Sequence, residues 1–159
     1  MRERALSRVF AWALACLVLL HGQSAARAAV VVPAEVLVVL GSNEGSGIDP
    51  QLEKIEALRK APFDSFSKKT LLQRIELRLE LGSTAELDLP NGRKLRLGLL
   101  ETLKDGRFRL SLSINRPGQR DYLPVVTVVA APGDPFFVAG QKHEGGTLII
   151  GVRAGAVRT

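Results

Sequence analysis

Cysteine is all but missing from this chain of 159 residues: the single copy, Cys16, lies inside an apolar run near the N-terminus. Past that run there is no disulfide, thiol nucleophile or thiolate metal site to draw on, so the fold rests on packing alone. Aromatic residues are only 5% of the chain and Tyr122 is the one tyrosine, too few for an aromatic carbohydrate platform. After residue 28 the only histidine is His143. One histidine without cysteine does not build the usual zinc site unless distant carboxylates complete it. No serine sits in a Gly-x-Ser-x-Gly elbow, so the hydrolase arrangement has no local support. Internal repeats, charge blocks and low-complexity tracts are also lacking between Ala29 and Thr159, which reads as one domain.

A long apolar run is lacking too. Met1 to Arg8 is basic, Val9 to Leu20 is apolar throughout, and His21 to Ala28 is short and rich in small residues. That order is the signature of a secretory signal peptide over residues 1–28. The run falls well short of the ~20 residues that span a bilayer, so no transmembrane helix is expected in the mature chain. Ala26-Arg27-Ala28 fits the cleavage pattern and predicts a mature start at Ala29, with a second site giving Arg27. Export by the general secretory route, to the periplasm or the extracellular space, follows.

The net charge of +6 suggests nucleic acid until the leader is set aside. Four arginines (2, 4, 8 and 27) and Glu3 leave with it, so 18 basic and 15 acidic residues remain, a net of +3 that is ordinary for a soluble domain. No aromatic residue is interleaved with the densest basic cluster, Arg93-Lys94-Arg96, to stack bases, and no nucleic-acid partner is expected.

The patterning is mainly β. Val36 to Leu40 is short, β-branched and apolar at every position, as in a strand covered on both faces. Asp49-Pro50 starts a short helix with Leu52, Ile55 and Leu58 at spacing three, closed by Pro62. From Leu71 the period switches to two: Ile75, Leu77, Leu79 and Leu81 alternate with charges, as do Leu95, Leu97 and Leu99, and later Phe108, Leu110, Leu112 and Ile114. A three-residue loop with Pro90 at the first corner and Gly92 left-handed sets Leu87 against Leu95, Glu86 against Arg96 and Asp88 against Lys94. Asp105-Gly106 suggests a two-residue type I′ turn that sets Leu103 against Phe108, Leu99 against Leu112 and Leu97 against Ile114, with Glu101 a misfit opposite Leu110 that implies a bulge or an inward carboxylate there. Residues 84–115 then form a three-stranded meander. Val125 to Val129, Phe136 to Val138 and Thr147 to Val152 join the first strand in a second sheet. The fold class is β-rich α+β, an antiparallel two-layer sandwich of about seven or eight strands with one short helix over residues 29–159.

The loops carry what chemistry there is. Gly41 to Gly47 lacks the Gly-Lys-Ser/Thr ending of a phosphate loop, and Ser42, Asn43, Glu44 and Asp49 match no calcium-binding spacing. His143 reads as a surface residue of the turn Gln141 to Gly146. No cofactor, metal ligand or catalytic residue is assigned. The candidate interaction residues are Ser42, Asn43, Glu44, Gln141, His143 and Glu144. The stretches Pro135 to Gln141 and Gly145 to Gly151 resemble the ending of uncharacterised small exported proteins of myxobacteria and related Gram-negative bacteria, and the similarity runs back through Leu95 to Ile114. The resemblance implies an envelope or secreted protein without naming an activity. The expected function is a non-enzymatic binding or scaffolding domain with an envelope or extracellular protein or ligand as partner. The alternatives are a small hydrolase or metal-dependent enzyme using His143 with carboxylates, and a carrier of an apolar ligand.

Overall fold

The computed structural model describes residues 28–155, so residues 1–27 of the expected leader lie outside the described residues. Nine strands run in chain order: β1 (Val31–Ser42), β2 (Gly47–Ile48), β3 (Lys68–Glu80), β4 (Thr84–Asp88), β5 (Lys94–Thr102), β6 (Phe108–Ile114), β7 (Val126–Ala130), β8 (Phe136–His143) and β9 (Gly146–Ala154). They make two sheets, β2-β3-β1-β9-β8 and β4-β5-β6-β7, antiparallel except for the two-residue pairing of β2 with β3. The chain passes from the first sheet to the second at Leu81 to Ser83, where the Gly82 amide donates to the Leu99 carbonyl at 2.8 Å.

The alternation of the sequence becomes the layer between the sheets. Leu95, Leu97, Leu99, Leu110 and Leu112 face Val32, Val36, Val38, Leu148, Ile150 and Val152, all buried. Leu87 and Ile114 pack at the margin of this layer. From Val36 to Leu40 β1 is covered on both faces, as that apolar run predicts. Its other face carries Leu37 and Val39 and joins Ile149 in a second, smaller core beneath residues 49–66.

That covering segment corrects the expected helix. It is three 3-10 turns, Pro50–Leu52, Glu56–Arg59 and Phe63–Ser65, with no α-helix. The Asp49 carboxylate caps the first turn by accepting from the Gln51 amide at 2.9 Å, and Pro50 opens it as expected. Ile55 then adopts an extended conformation and breaks the run. The spacing of Leu52, Ile55 and Leu58 explains the outcome, because three residues per turn is the 3-10 period and puts all three side chains on one line.

The meander holds, with one register corrected. β4 and β5 pair as read, Leu87 with Leu95, Glu86 with Arg96 and Asp88 with Lys94. Around Asp105-Gly106 the turn is not two residues. The Leu103 amide donates to the Arg107 carbonyl at 2.8 Å, enclosing Lys104-Asp105-Gly106, and Gly106 alone is left-handed at φ 82°. This repeats the Pro90-Asn91-Gly92 turn, where Gly92 has φ 76°. In both, an Asn or Asp side chain accepts from the amide two residues on. The type I′ turn needs positive φ at both central residues, and Asp105 does not supply it. A bulge between Leu99 and Glu101 then absorbs one residue, so that Leu99 meets Leu110, Leu97 meets Leu112 and Leu95 meets Ile114, and Glu101 pairs with Arg109 instead of facing a leucine.

Sheet membership also differs from expectation. Only β8 and β9 join β1; β7 pairs with β6 in the other sheet, and β3 takes the place beside β1.

Candidate functional site

The two candidate loops meet. The end of β1 and the β8–β9 hairpin border one open depression of about 800 Å³, lined by Ser42, Asn43, Glu44, Phe66, His143 and Glu144 among others. The hairpin is tighter than read: β8 runs through His143, and the turn is only Glu144-Gly145, at φ 43° and 75°. His143 is therefore the last residue of a strand. Its side chain is only 14% exposed, which corrects its reading as a surface-turn residue. The Asn43 side chain holds the opposite wall by accepting from the Ser67 amide at 2.9 Å, and the Ser67 hydroxyl donates to the Gly45 carbonyl at 2.7 Å. His143 Nε2 lies 3.8 Å from the Glu144 carboxylate, too far for a hydrogen bond. Among the described residues no three His, Cys, Asp or Glu side chains gather as a metal set. Five of the six candidates thus share a polar, open surface without a nucleophile and base in contact.

Gln141 lies elsewhere. Its side-chain oxygen accepts from Arg93 Nη1, and Arg93 also donates through Nε and Nη2 to the Asn115 carbonyl, tying the end of the meander to β8. The remaining members of the basic cluster are paired within their own sheet. Lys94 Nζ lies 3.1 Å from Glu86 and 3.0 Å from Asp88, and Arg96 Nε lies 3.2 Å from Glu86. The connection after β6 bridges Asn115 to Tyr122, which sets the Tyr122 ring 3.7 Å beneath the Arg96 guanidinium and lets its hydroxyl donate to Glu86 at 2.8 Å. These three donors, Tyr122 first, then Lys94 and Arg96, hold the Glu86 carboxyl down at about 2.

The side of the sandwich where Gln141 sits is open. Between β6–β7 and β8–β9 runs a groove of about 160 Å³ lined by Leu112, Ile114, Leu123, Val126, Val138 and Ile150, with Gln141 and Ser113 its polar members. Val126 shares the inward register of Leu112 yet is 49% exposed, because the five-stranded sheet does not reach over it. Val125 (63%) and Val129 (41%) are exposed beside it. The groove lies between the two sheets, not between a sheet and the covering segment, and it is open to solvent.

β7 is also an edge strand without protection. The other edges all carry some: β2 is two residues long, β4 carries Glu86 and Asp88 in five residues, and β8 has a bulge at Gly140 followed by Lys142. β7 reads Val-Thr-Val-Val-Ala, with no charge, proline or bulge. The sequence signal was present in that run of β-branched residues, but the expected membership in the covered sheet hid it.

Among the described residues no helix is long and apolar enough to cross a membrane. No family model, curated protein or solved structure matches the chain.

Proposed function

We propose that this protein is an exported, non-enzymatic binding module that takes an extended segment of an envelope or extracellular protein as an added strand along β7. The unprotected β7 edge beside an apolar groove carries this reading. An added strand satisfies the free backbone groups of β7, and its alternate side chains cover Val126 and enter the groove. Main-chain hydrogen bonds then supply affinity, while the groove favours an apolar residue at every second position. The groove is the width of one or two side chains, which suits a strand better than a small-molecule carrier. Export rests on the leader over residues 1–28 and on the resemblance to exported proteins.

The test is a photo-crosslinking residue at Val126, with the same residue at Glu86 on β4 as control, in protein expressed in its own cell. The expected result is a discrete adduct at Val126 only, on protein recovered outside the cytoplasm that begins at Ala29 or Arg27. Equal capture at both edges, or none, overturns strand addition; intact Met1 on the exported protein overturns the export reading.

A further inference from the structure

The outer face of the five-stranded sheet holds a charge that the covering segment does not explain. Glu35, on β1, is 1% exposed and shares the face of Leu37 and Val39. Two guanidiniums flank it. Arg74 on β3 donates through Nη1 to Oε1, and Arg153, directly opposite on β9, lies 3.1 Å from Oε2. One carboxylate therefore lies between two guanidiniums, Arg153 at 15% and Arg74 at 36% side-chain exposure, while Glu76, opposite Glu35 on β3, stands exposed on the same face. Each guanidinium has five N–H donors, and these contacts engage one nitrogen of each. The Arg153 Nε is buried without a hydrogen-bond partner. The Glu35 Oε2 is likewise buried without a hydrogen-bond partner, so Arg153 meets it as an ion pair and keeps buried donor capacity unused.

A cleft of about 830 Å³ opens over these arginines, between the first covering turns (Gln51, Lys54, Ile55) and the β7–β8 connection at Gly133 to Pro135. Its size suits a small molecule. Lys54 adds a third cation at the rim. Two carboxylates border the cleft as well. Glu56 is paired with Lys60 at 3.3 Å, whereas Asp134 has no ion-pair partner within 4.0 Å among the described residues.

We propose that this cleft binds a small ligand through one oxyanion head, a carboxylate or phosphate group seated on Arg74 and Arg153. The planar fork of a guanidinium matches either head, and the buried Glu35 fixes both forks in advance. Asp134 on the opposite wall opposes negative charge in the cleft and so weakens the binding of any anion. This site lies on the far side of the first sheet from the β7 groove and stands independently of strand addition.

The experiment is NMR titration of the mature protein with inorganic phosphate and, separately, glutarate, reading the Arg153 and Arg74 Nε–H signals. The expected result is a saturable shift of Arg153 with at least one probe. Arg74→Gln weakens binding about tenfold or more, since a charge-assisted hydrogen bond is lost. Asp134→Asn tightens it severalfold. Saturation with phosphate alone assigns a phosphate head, with glutarate alone a carboxylate head, and with both a site that reads only the shared charge. If Arg74→Gln does not fold, Lys54→Gln on the exposed rim serves in its place with a smaller weakening. No saturable shift with either probe, or equal affinity in wild type and all variants, overturns the proposal.

Discussion

The four-stranded sheet has two edges that share one inward pattern and differ in everything facing solvent. On β4, Glu86 and Asp88 are engaged with Lys94 and Arg96, and Tyr122 closes over them. On β7, the outward and edge positions are valine and threonine. Core packing therefore does not account for the difference, because each edge sets its inward residues against large apolar partners, Ala85 and Leu87 against Leu97 and Leu95, and Val128 and Ala130 against Leu110 and Phe108. A charged edge resists an incoming strand, because pairing would strip water from its ions; an uncharged one accepts it. The contrast is the basis for proposing strand addition at β7 and not at the basic cluster, whose charges are paired within the sheet.

The comparison is tested first from inside. Leu97 lies toward the β4 side and Leu112 toward the β7 side, each buried and opposite the other. Truncating either to alanine is expected to cost about 2 to 5 kcal/mol in urea melts. Leu112→Ala falls at the lower end, since it lines the open groove, where neighbours have room to relax. A larger loss at Leu112 than at Leu97 would mean that the β7 side is the better packed one. A smaller effect tests the defended edge. Arg96→Ala is expected to cost less than ~1 kcal/mol, because exposed ion pairs contribute little; a loss matching the leucines would give the charged face a structural role instead of a defensive one. The smallest effect is set by pH. The Glu86 carboxyl titrates at about 2 in the folded protein against an ordinary 4.5, so its stabilising contribution is present above the ordinary value and is lost as pH falls from about 4.5 toward 2. Glu86→Gln is expected to flatten that part of the urea midpoint's acid decline; an unchanged slope would show that Tyr122, Lys94 and Arg96 do not hold the carboxylate in solution.

What could be read from the residues was what repeats locally. Alternation gave the covered face of the meander, and the Pro90-Asn91-Gly92 turn gave its first register, because hydrophobic parity excluded the two-residue alternative. Parity misled at Asp105-Gly106, where a shorter turn also kept leucines opposite leucines. The bulge at Leu100 that reconciles the longer turn shows in the sequence only as the misfit of Glu101 opposite Leu110, for which a bulge is one of two readings. Local pattern also says nothing about which sheet a strand joins, so the expectation put β7 in the sheet of β1. The candidate loops were visible as Gly-rich and polar segments. The Glu35 cluster was not, because its three residues come from strands far apart in the chain. Its one sequence trace is a carboxylate interrupting the apolar run from Val31 to Leu40, a position where a charge must find partners.

β1 and β9 lie side by side at the centre of the five-stranded sheet, paired from Ala34–Gly41 to Thr147–Ala154. The hairpins from β4 to β6 join neighbours in the chain, whereas this ladder joins residues more than a hundred positions apart. Contacts of that separation form late. A chain emerging N-terminus first from a ribosome holds β1 beside β3 alone, with its other edge bare, until β9 is through. The hairpins in the middle of the protein thus organise before the ladder that completes the five-stranded sheet.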